Sequence, residues 1–367
     1  MKILIIITRG DTIGGAQTHV SLIAKKIKEE GNDVNVIFGG EIGPFANLLN
    51  EYNIPYFNVP SFSNNFSLTN DIKAFYEIRN IIKLLKPDLI SLHSTKAGLL
   101  GRVIGKSLKL PVVLTVHGWS FSKGIPLLKR IIGSIIERIL SFMVNKYILV
   151  SFYDLEMARK LKFKASKLAV IHNGVEDAFV QPNNKDISND RPLSIVMVAR
   201  FDNQKNQKFL INVCKDISGI KLNFIGDGPL LEKTKSFSDK LNSSCEIKYF
   251  GLRLDAKEII KEHDVFALIS NWEGFPISTI EAMSASMPII VSDVGGAAEC
   301  VEDNVNGFII KEGDADYLRN SIIKLRDNRL LTKDFGIKSR IIYLDSFTDK
   351  VMYQKTVAVF SSLLNKS

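Results

Sequence analysis

The chain has 367 residues, 46% of them hydrophobic and 24% charged. That excludes wholesale disorder and is too long for one ordinary core, so two domains are expected. The net charge of +9 is uneven, because residues 1–180 carry all of the excess and the remainder balances to zero; three scattered cysteines, Cys214, Cys245 and Cys300, offer neither a disulfide framework nor metal spacing, as in a reducing cytoplasmic setting.

The first eight residues are too short for a signal peptide and read as a buried strand over 3–7. The loop that follows holds Gly14 and Gly15 ahead of a helix over 17–30, and both permit close backbone approach to an anion. It is not a Gly-x-Gly-x-x-Gly fingerprint, so a nicotinamide cofactor is disfavoured. Further strands read at 33–38, 89–92, 112–116 and 147–150, with helices at 71–85 and 127–144. His93, in the run His93-Ser-Thr-Lys96, and His117, before Gly118, each stand just past a strand. A lone histidine is more often structural, but two at the ends of neighbouring strands are expected to form a polar wall. The apolar stretch 131–150 is broken by Glu137, Arg138 and Lys146, so no transmembrane helix is expected. Lys123, Lys129, Arg130, Arg138 and Lys146, with Lys160, Lys162, Lys164 and Lys167, give either a basic, membrane-peripheral face or a solvated one above a core helix. No nucleic-acid motif accompanies them.

The pattern stops between 175 and 192, where a polar, breaker-rich run reads as a linker. The predicted domains are 1–176 and 192–349, with 177–191 between them and a helical tail over 346–364. Second-half strands read at 194–199, 222–225, 247–250, 265–269, 288–292 and 307–310. Strands alternating with helices predict parallel α/β sheets: two Rossmann-like domains with a cleft at their carboxyl ends, where ligands bind.

Arg200 and Lys205 stand in one strand-to-helix loop and suit a diphosphate, the arginine by its fork and the lysine as a point charge. Gly226 ends another strand, and the backbone near Leu252, after Gly251, is placed to meet a nucleobase edge. Glu273, Gly274, Phe275, Pro276, Ile277 and Ser278 lead from a buried strand into a helix that carries Glu281. A helix start binds phosphate on its free N–H groups, and the carboxylates accept bonds from sugar hydroxyls. Ser278-Thr-Ile-Glu281 also fits a capping box. Asp314-Ala-Asp316 reads as a helix N-cap rather than a cation site, and no metal is expected.

The spacing Glu273…Glu281 with the Arg200…Lys205 pair, the run His172-Asn-Gly-Val-Glu176, Gly295-Gly296 with Glu299, and Asn306-Gly307-Phe308 together resemble glycosyltransferase family 4. That family is retaining and has the GT-B fold of two facing Rossmann-like domains. The resemblance implies that Arg200 and Lys205 hold the donor diphosphate, Glu273 the donor sugar and Glu281 the ribose. Backbone amides after Gly274 would meet sugar and phosphate, His117 would lie beside the anomeric carbon, and Gly15 would approach the phosphate from the other domain. His93, Lys96, Gly14, Gly226 and Leu252 complete the expected substrate-binding set. The last helix, near 350–367, would pack back on the first domain. The runs 92–102 and 115–121 are similar to bacterial transferases that build surface polysaccharides and lipid-linked oligosaccharides. These imply UDP-sugars, undecaprenyl-diphosphate-linked acceptors, no cofactor, and a cytoplasmic protein peripheral at an anionic inner membrane. A nucleotide-sugar 2-epimerase on the same fold and a non-catalytic nucleotide-sugar-binding subunit are the rival readings.

Overall fold

The computed structural model describes residues 1–177, 191–253 and 255–365. The chain divides into two compact units, Met1–Glu176 with Asp349–Ser367, and Asp177–Thr348. Apart from Asp177 and Arg191, the predicted linker lies outside the described residues.

The first unit alternates strands and helices: β1 (Lys2–Arg9), α1 (Gly15–Glu29), β2 (Asp33–Gly39), α2 (Pro44–Glu51), β3 (Tyr56–Val59), α3 (Leu68–Leu85), β4 (Leu89–Leu92), α4 (Thr95–Leu108), β5 (Val112–Val116), α5 (Leu127–Leu140), β6 (Lys146–Leu149), α6 (Phe152–Lys160) and β7 (Leu168–Val170). All seven strands are parallel, in the order β3-β2-β1-β4-β5-β6-β7. Their side chains alternate between two cores. Ile3, Ile5 and Ile7 join Val20, Ile23 and Ile27 of α1; Leu4 and Ile6 face the other way, with Ile78 of α3 and Ile104 of α4.

The second unit follows the same plan: β8 (Leu193–Val198), α7 (Gln207–Cys214), β9 (Ile220–Ile225), α8 (Leu231–Ser238), β10 (Glu246–Tyr249), α9 (Ala256–Lys261), β11 (Val265–Leu268), α10 (Ile277–Ser284), β12 (Ile289–Ser292), β13 (Gly307–Ile310), α11 (Ala315–Asp327) and α12 (Arg329–Ser346). Its order is β10-β9-β8-β11-β12-β13. The last helix, α13 (Asp349–Leu364), belongs to the first unit. Met352, Tyr353 and Phe360 lie in the core that α1 lines, and Lys26 of α1 meets Asp349 at 3.3 Å.

In each sheet the strand order reverses once, between β1 and β4 and between β8 and β11. Those switch points are where open α/β sheets bind ligands. Several segments differ from expectation, among them the unpredicted helices α2 and α6. β3 and β7 escape the pattern because they are short edge strands with half-buried faces. α4 is absent from the expected helices, and Gly98, Gly101 and Gly105 within it weaken its helical pattern. A Cβ on Gly101 would sit 2.3 Å from Leu92 Cδ2, so the glycines let this helix lie close on the sheet. α5 ends at Leu140, short of 144, and a 3₁₀ turn over Ser141–Met143 follows. Among the described residues, no helix is long and apolar enough to cross a membrane.

Candidate functional site

In the second unit the switch-point strands deliver the predicted charges. Lys205 bridges to Ser270 in an antiparallel pair, which draws the loop after β8 along the end of β11. There the Lys205 ammonium and the Glu273 carboxylate form an ion pair, both side chains largely buried. Ser270 Oγ donates to Glu273 Oε1 at 2.6 Å, and Gln204 Nε2 donates to Oε2 at 3.1 Å. Arg200 stays out: its side chain is 62% exposed and its nearest acid, Asp202, is 3.9 Å away. Gly295 backs this loop at φ +58, where a Cβ would lie 1.9 Å from the Glu273 carbonyl oxygen. Only glycine fits that approach. Gly226 has a similar task, since a Cβ there would meet the Ala199 carbonyl oxygen at 2.1 Å. It seats the strand end before Arg200.

The helix after Glu273 corrects one expectation. α10 starts at Ile277 with Pro276 as N-cap and no side-chain cap. Ser278 is thus inside the helix, and the capping box does not form. The first-turn N–H groups lack side-chain acceptors, as an anion site requires. Glu281 falls in the second turn rather than the opening one. Burial raises its carboxyl pKa above the usual range, partly opposed by Lys257 at 3.5 Å. Phe275 is buried against Phe347, ring centroids 5.4 Å apart, so only its backbone faces a ligand. Leu252 is exposed. Asp314 caps α11, accepting from the Tyr317 N–H at 3.0 Å.

In the first unit Gly14 is the N-cap of α1 and donates its N–H to Gln17 Oε1 at 3.2 Å; Gly14 and Gly15 are both exposed. Beside them three imidazoles converge. His93 Nδ1 and His117 Nε2 are 3.2 Å apart, His93 Nε2 is 2.8 Å from Ser91 Oγ, and His19 Nδ1 is 3.0 Å from Asn173 Oδ1. Burial pushes the His19 pKa down to about 4, against the opposing Asn173 bond. Burial, then the neighbouring rings, hold His93 and His117 well below their ordinary value. All three are neutral at pH 7. One nitrogen from each ring lies within 4.8 Å of the other two, a grouping able to hold a metal ion, although hydrogen bonds already engage four of the six ring nitrogens. A 220 Å³ pocket beside the cluster is lined by His93, Thr115, His117, Trp119 and Glu137, among others.

Two predicted residues of this unit are corrected. His93 is 1% exposed, with both nitrogens engaged, so it backs His117 more than it forms a wall. Lys96 is buried, paired with Asp71 at 2.5 Å, and donates to the carbonyls of Ser63 and Asn65. Two hydrogen bonds and an ion pair thus engage its ammonium, which makes it a brace for the loop before α3. Sequence reasoning missed His19, Asn173, Gln204, Ser270 and Lys257. His19 carried a signal, as a histidine on the inward face of α1 one turn after Gly15. Asn173 stands inside the run His172-Asn-Gly-Val-Glu176, with no role assigned to it there.

Two family models match the chain. The one described as Glycosyltransferase Family 4 matches residues 13–179, and the one described as Glycosyl transferases group 1 matches 181–341. The chain is 30% identical over 324 residues to the UDP-Gal:alpha-D-GlcNAc-diphosphoundecaprenol alpha-1,3-galactosyltransferase of Escherichia coli, covering 83% of each. It is 26% identical over 277 residues to the N,N'-diacetylbacillosaminyl-diphospho-undecaprenol alpha-1,3-N-acetylgalactosaminyltransferase of Campylobacter jejuni, covering 71% of this chain and 73% of the relative. Among solved structures, Anabaena Alr3699/HepE in complex with UDP-glucose superposes with a TM-score of 0.84 at 22% identity, covering 99% of this chain and all of that one.

Proposed function

The chain belongs to glycosyltransferase family 4 and is a hexosyltransferase of the GT-B fold; from that premise we propose that it moves a hexosyl or N-acetylhexosaminyl group from a UDP-sugar, with retention, to an undecaprenyl-diphosphate-linked or glycan acceptor in bacterial surface-polysaccharide synthesis. The observation that carries the donor reading is the buried Lys205–Glu273 pair beside the uncapped start of α10. The acceptor reading leans on the two undecaprenol-linked relatives.

In this mechanism the C1–O bond to the diphosphate breaks, positive charge develops on the sugar, and negative charge develops on the departing UDP. Arg200, Lys205 and the N–H groups after Pro276 stabilise that negative charge; such preorganised electrostatics is commonly the largest catalytic term. In this reading these cations and dipoles neutralise the leaving group, and the transfer calls on no metal or cofactor. Glu273 accepts bonds from sugar hydroxyls and Glu281 from the ribose. The acceptor hydroxyl attacks C1 on the face that UDP leaves, and its proton passes to a departing phosphate oxygen. His117, neutral, donates or accepts one hydrogen bond at the reacting sugar.

The work takes place at the cytoplasmic face of an anionic membrane, to which the basic first half is drawn. No reported relative supports an epimerase. Incubating the protein with radiolabelled UDP-galactose and UDP-N-acetylgalactosamine plus a bacterial lipid extract tests the reading. Label should enter the lipid phase. Epimerised free donor, or no turnover with any donor, would replace it with one of the rival readings.

A further inference from the structure

Three of the chain's five histidines meet in the first unit, and each arrives on or beside a rigid element. His19 stands on the buried face of α1. His93 follows β4, and its N–H donates to the Ile6 carbonyl of β1 at 2.9 Å. His117 follows β5. The rings stand at the spacing of ligands on one ion. Zinc binds imidazole nitrogen at about 2.0–2.1 Å in tetrahedral geometry, which sets the ligand nitrogens about 3.3 Å apart and the ring centroids about 5.2 Å apart. His93 Nδ1 and His117 Nε2 are 3.2 Å apart, and the three centroid separations are 5.4, 4.8 and 5.5 Å. The third nitrogen lies within 4.8 Å of the others. Turning a ring about Cβ–Cγ closes that gap and leaves the centroids where they are.

The surroundings supply what such a site needs beyond its ligands. A metal-bound imidazole ordinarily donates its other nitrogen to a fixed oxygen, which sets its tautomer and orientation. Two such oxygens are in place on buried side chains: Asn173 Oδ1, 3.0 Å from His19 Nδ1, and Ser91 Oγ, 2.8 Å from His93 Nε2. With those nitrogens donating, His19 Nε2 and His93 Nδ1 carry lone pairs. A donor set of imidazoles alone suits zinc, copper or nickel rather than magnesium or calcium. Room for a fourth ligand lies in the 220 Å³ pocket that His93 and His117 line. Thr115 lines it too, 2% exposed, and its Oγ1 has no hydrogen-bond partner among the described residues. A buried hydroxyl of that kind calls for a partner, which a metal-bound water supplies. His117 is half-buried and Gly118 exposed, so an ion can enter on that side.

We propose that His19 Nε2, His93 Nδ1 and His117 Nε2 bind a zinc ion, with water as the fourth ligand, and that this ion reversibly inhibits transfer. The ion takes the place of the proton between His93 Nδ1 and His117 Nε2. That proton moves to His117 Nδ1, so the rings stay neutral and none of them loses a proton. The ion is an inhibitor and not a cofactor, because it pins the ring that would otherwise turn to the reacting sugar. Only the inhibition rests on that reading of His117; the binding rests on the cluster itself.

The test counts metal first. Untagged full-length protein is dialysed against micromolar zinc, and the bound metal is measured. Wild type should retain one zinc per chain and release it to a chelator. Ser91→Ala keeps all three rings and should weaken binding roughly ten-fold, as loss of a supporting oxygen does. His19→Gln removes a ligand and should weaken it at least about a hundred-fold, beyond the effect of any supporting oxygen. Cobalt(II) in place of zinc should give the strong visible absorption of a four-coordinate ion. None of these readings needs turnover, so they stand even if the transferase reading fails. In the transfer assay, zinc should suppress turnover over the concentration range in which it binds, and chelator should restore it. Ser91→Ala should need roughly ten-fold more zinc for the same suppression. If His19→Gln does not fold, Ser91→Ala and the cobalt spectrum decide. No retained zinc, zinc retained equally by wild type and both variants, or the faint cobalt spectrum of a six-coordinate surface ion would each overturn the site. Full turnover by zinc-loaded protein would overturn the inhibition.

Discussion

The two sheets finish their switch-point strands in opposite electrostatic states. After β8 and β11 the second unit gathers charge: an exposed Arg200 and a buried Lys205–Glu273 pair. After β1, β4 and β5 the first unit gathers three imidazoles that burial keeps neutral, His19 from α1 and His93 and His117 from the two strand ends. The same topology thus gathers charged side chains in one case and uncharged polar rings in the other. The difference comes from the side chains at the strand ends, because the backbone plan is common to both.

The sharpest way to break the contrast is Lys205→Ala. It strands a carboxylate that is 5% exposed, and breaking a buried pair this way costs roughly 3–5 kcal/mol. Denaturant unfolding of the unliganded variant should show that loss, and turnover should fall by about 10²–10³ if Lys205 also stabilises the leaving group. Arg200→Ala should give a comparable kinetic loss while stability stays within about 0.5 kcal/mol, as at an exposed position. If both variants destabilise alike, the division into a buried pair and a free cation is wrong.

Glu273→Gln turns the same pair around. It frees Lys205 for a diphosphate, so UDP should bind at least as tightly as to wild type while turnover drops. Calorimetric titration with UDP reads the first effect and a transfer assay the second. Weaker UDP binding would mean that Glu273 holds the nucleotide rather than the sugar.

Acid should act on the first unit ahead of the second. Each imidazole has a lower pKa folded than unfolded, so the unfolded chain takes up the extra proton. The stability that His19 contributes is complete above about pH 6.5 and drains as the pH falls toward its folded value of about 4. The slope is roughly 1.4 kcal/mol per pH unit for each such group. Glu281 runs the other way, because its raised pKa favours the protonated, folded form as the pH drops. Hydrogen exchange at pH 7 and pH 5 should show protection lost in α1, β4 and β5 while α10 keeps its own. Equal loss in both units would remove the neutral-cluster account.

Much of this was legible in the chain. The apolar runs at 89–92, 112–116, 265–269 and 288–292 found their strands because central parallel strands are buried on both faces and read as unbroken hydrophobic stretches. The charged pair Lys205 and Glu273 could each be singled out, but their contact depends on a bridge between residues 205 and 270 that no local pattern encodes. The imidazole cluster was half visible. His93 and His117 follow strands, whereas His19 and Asn173 are brought together over 154 residues. Lys96 misled because a lysine beside a histidine looks like a ligand group, and only the fold shows Asp71 taking its charge.

Ser278 gives the smallest expected effect and a clean discrimination. A serine that caps a helix costs about 1 kcal/mol when replaced by alanine. Here α10 begins one residue earlier, at Ile277, and makes no side-chain cap. Ser278→Ala should therefore leave the unliganded protein within about 0.5 kcal/mol of wild type, the range of an uninvolved side chain. Any consequence should appear instead in UDP affinity, where the hydroxyl sits beside the N–H groups offered to phosphate. A stability loss near 1 kcal/mol with UDP binding intact would restore the capping box. Glu281 would then return to the helix backbone, and the second unit would hold its ribose by another residue.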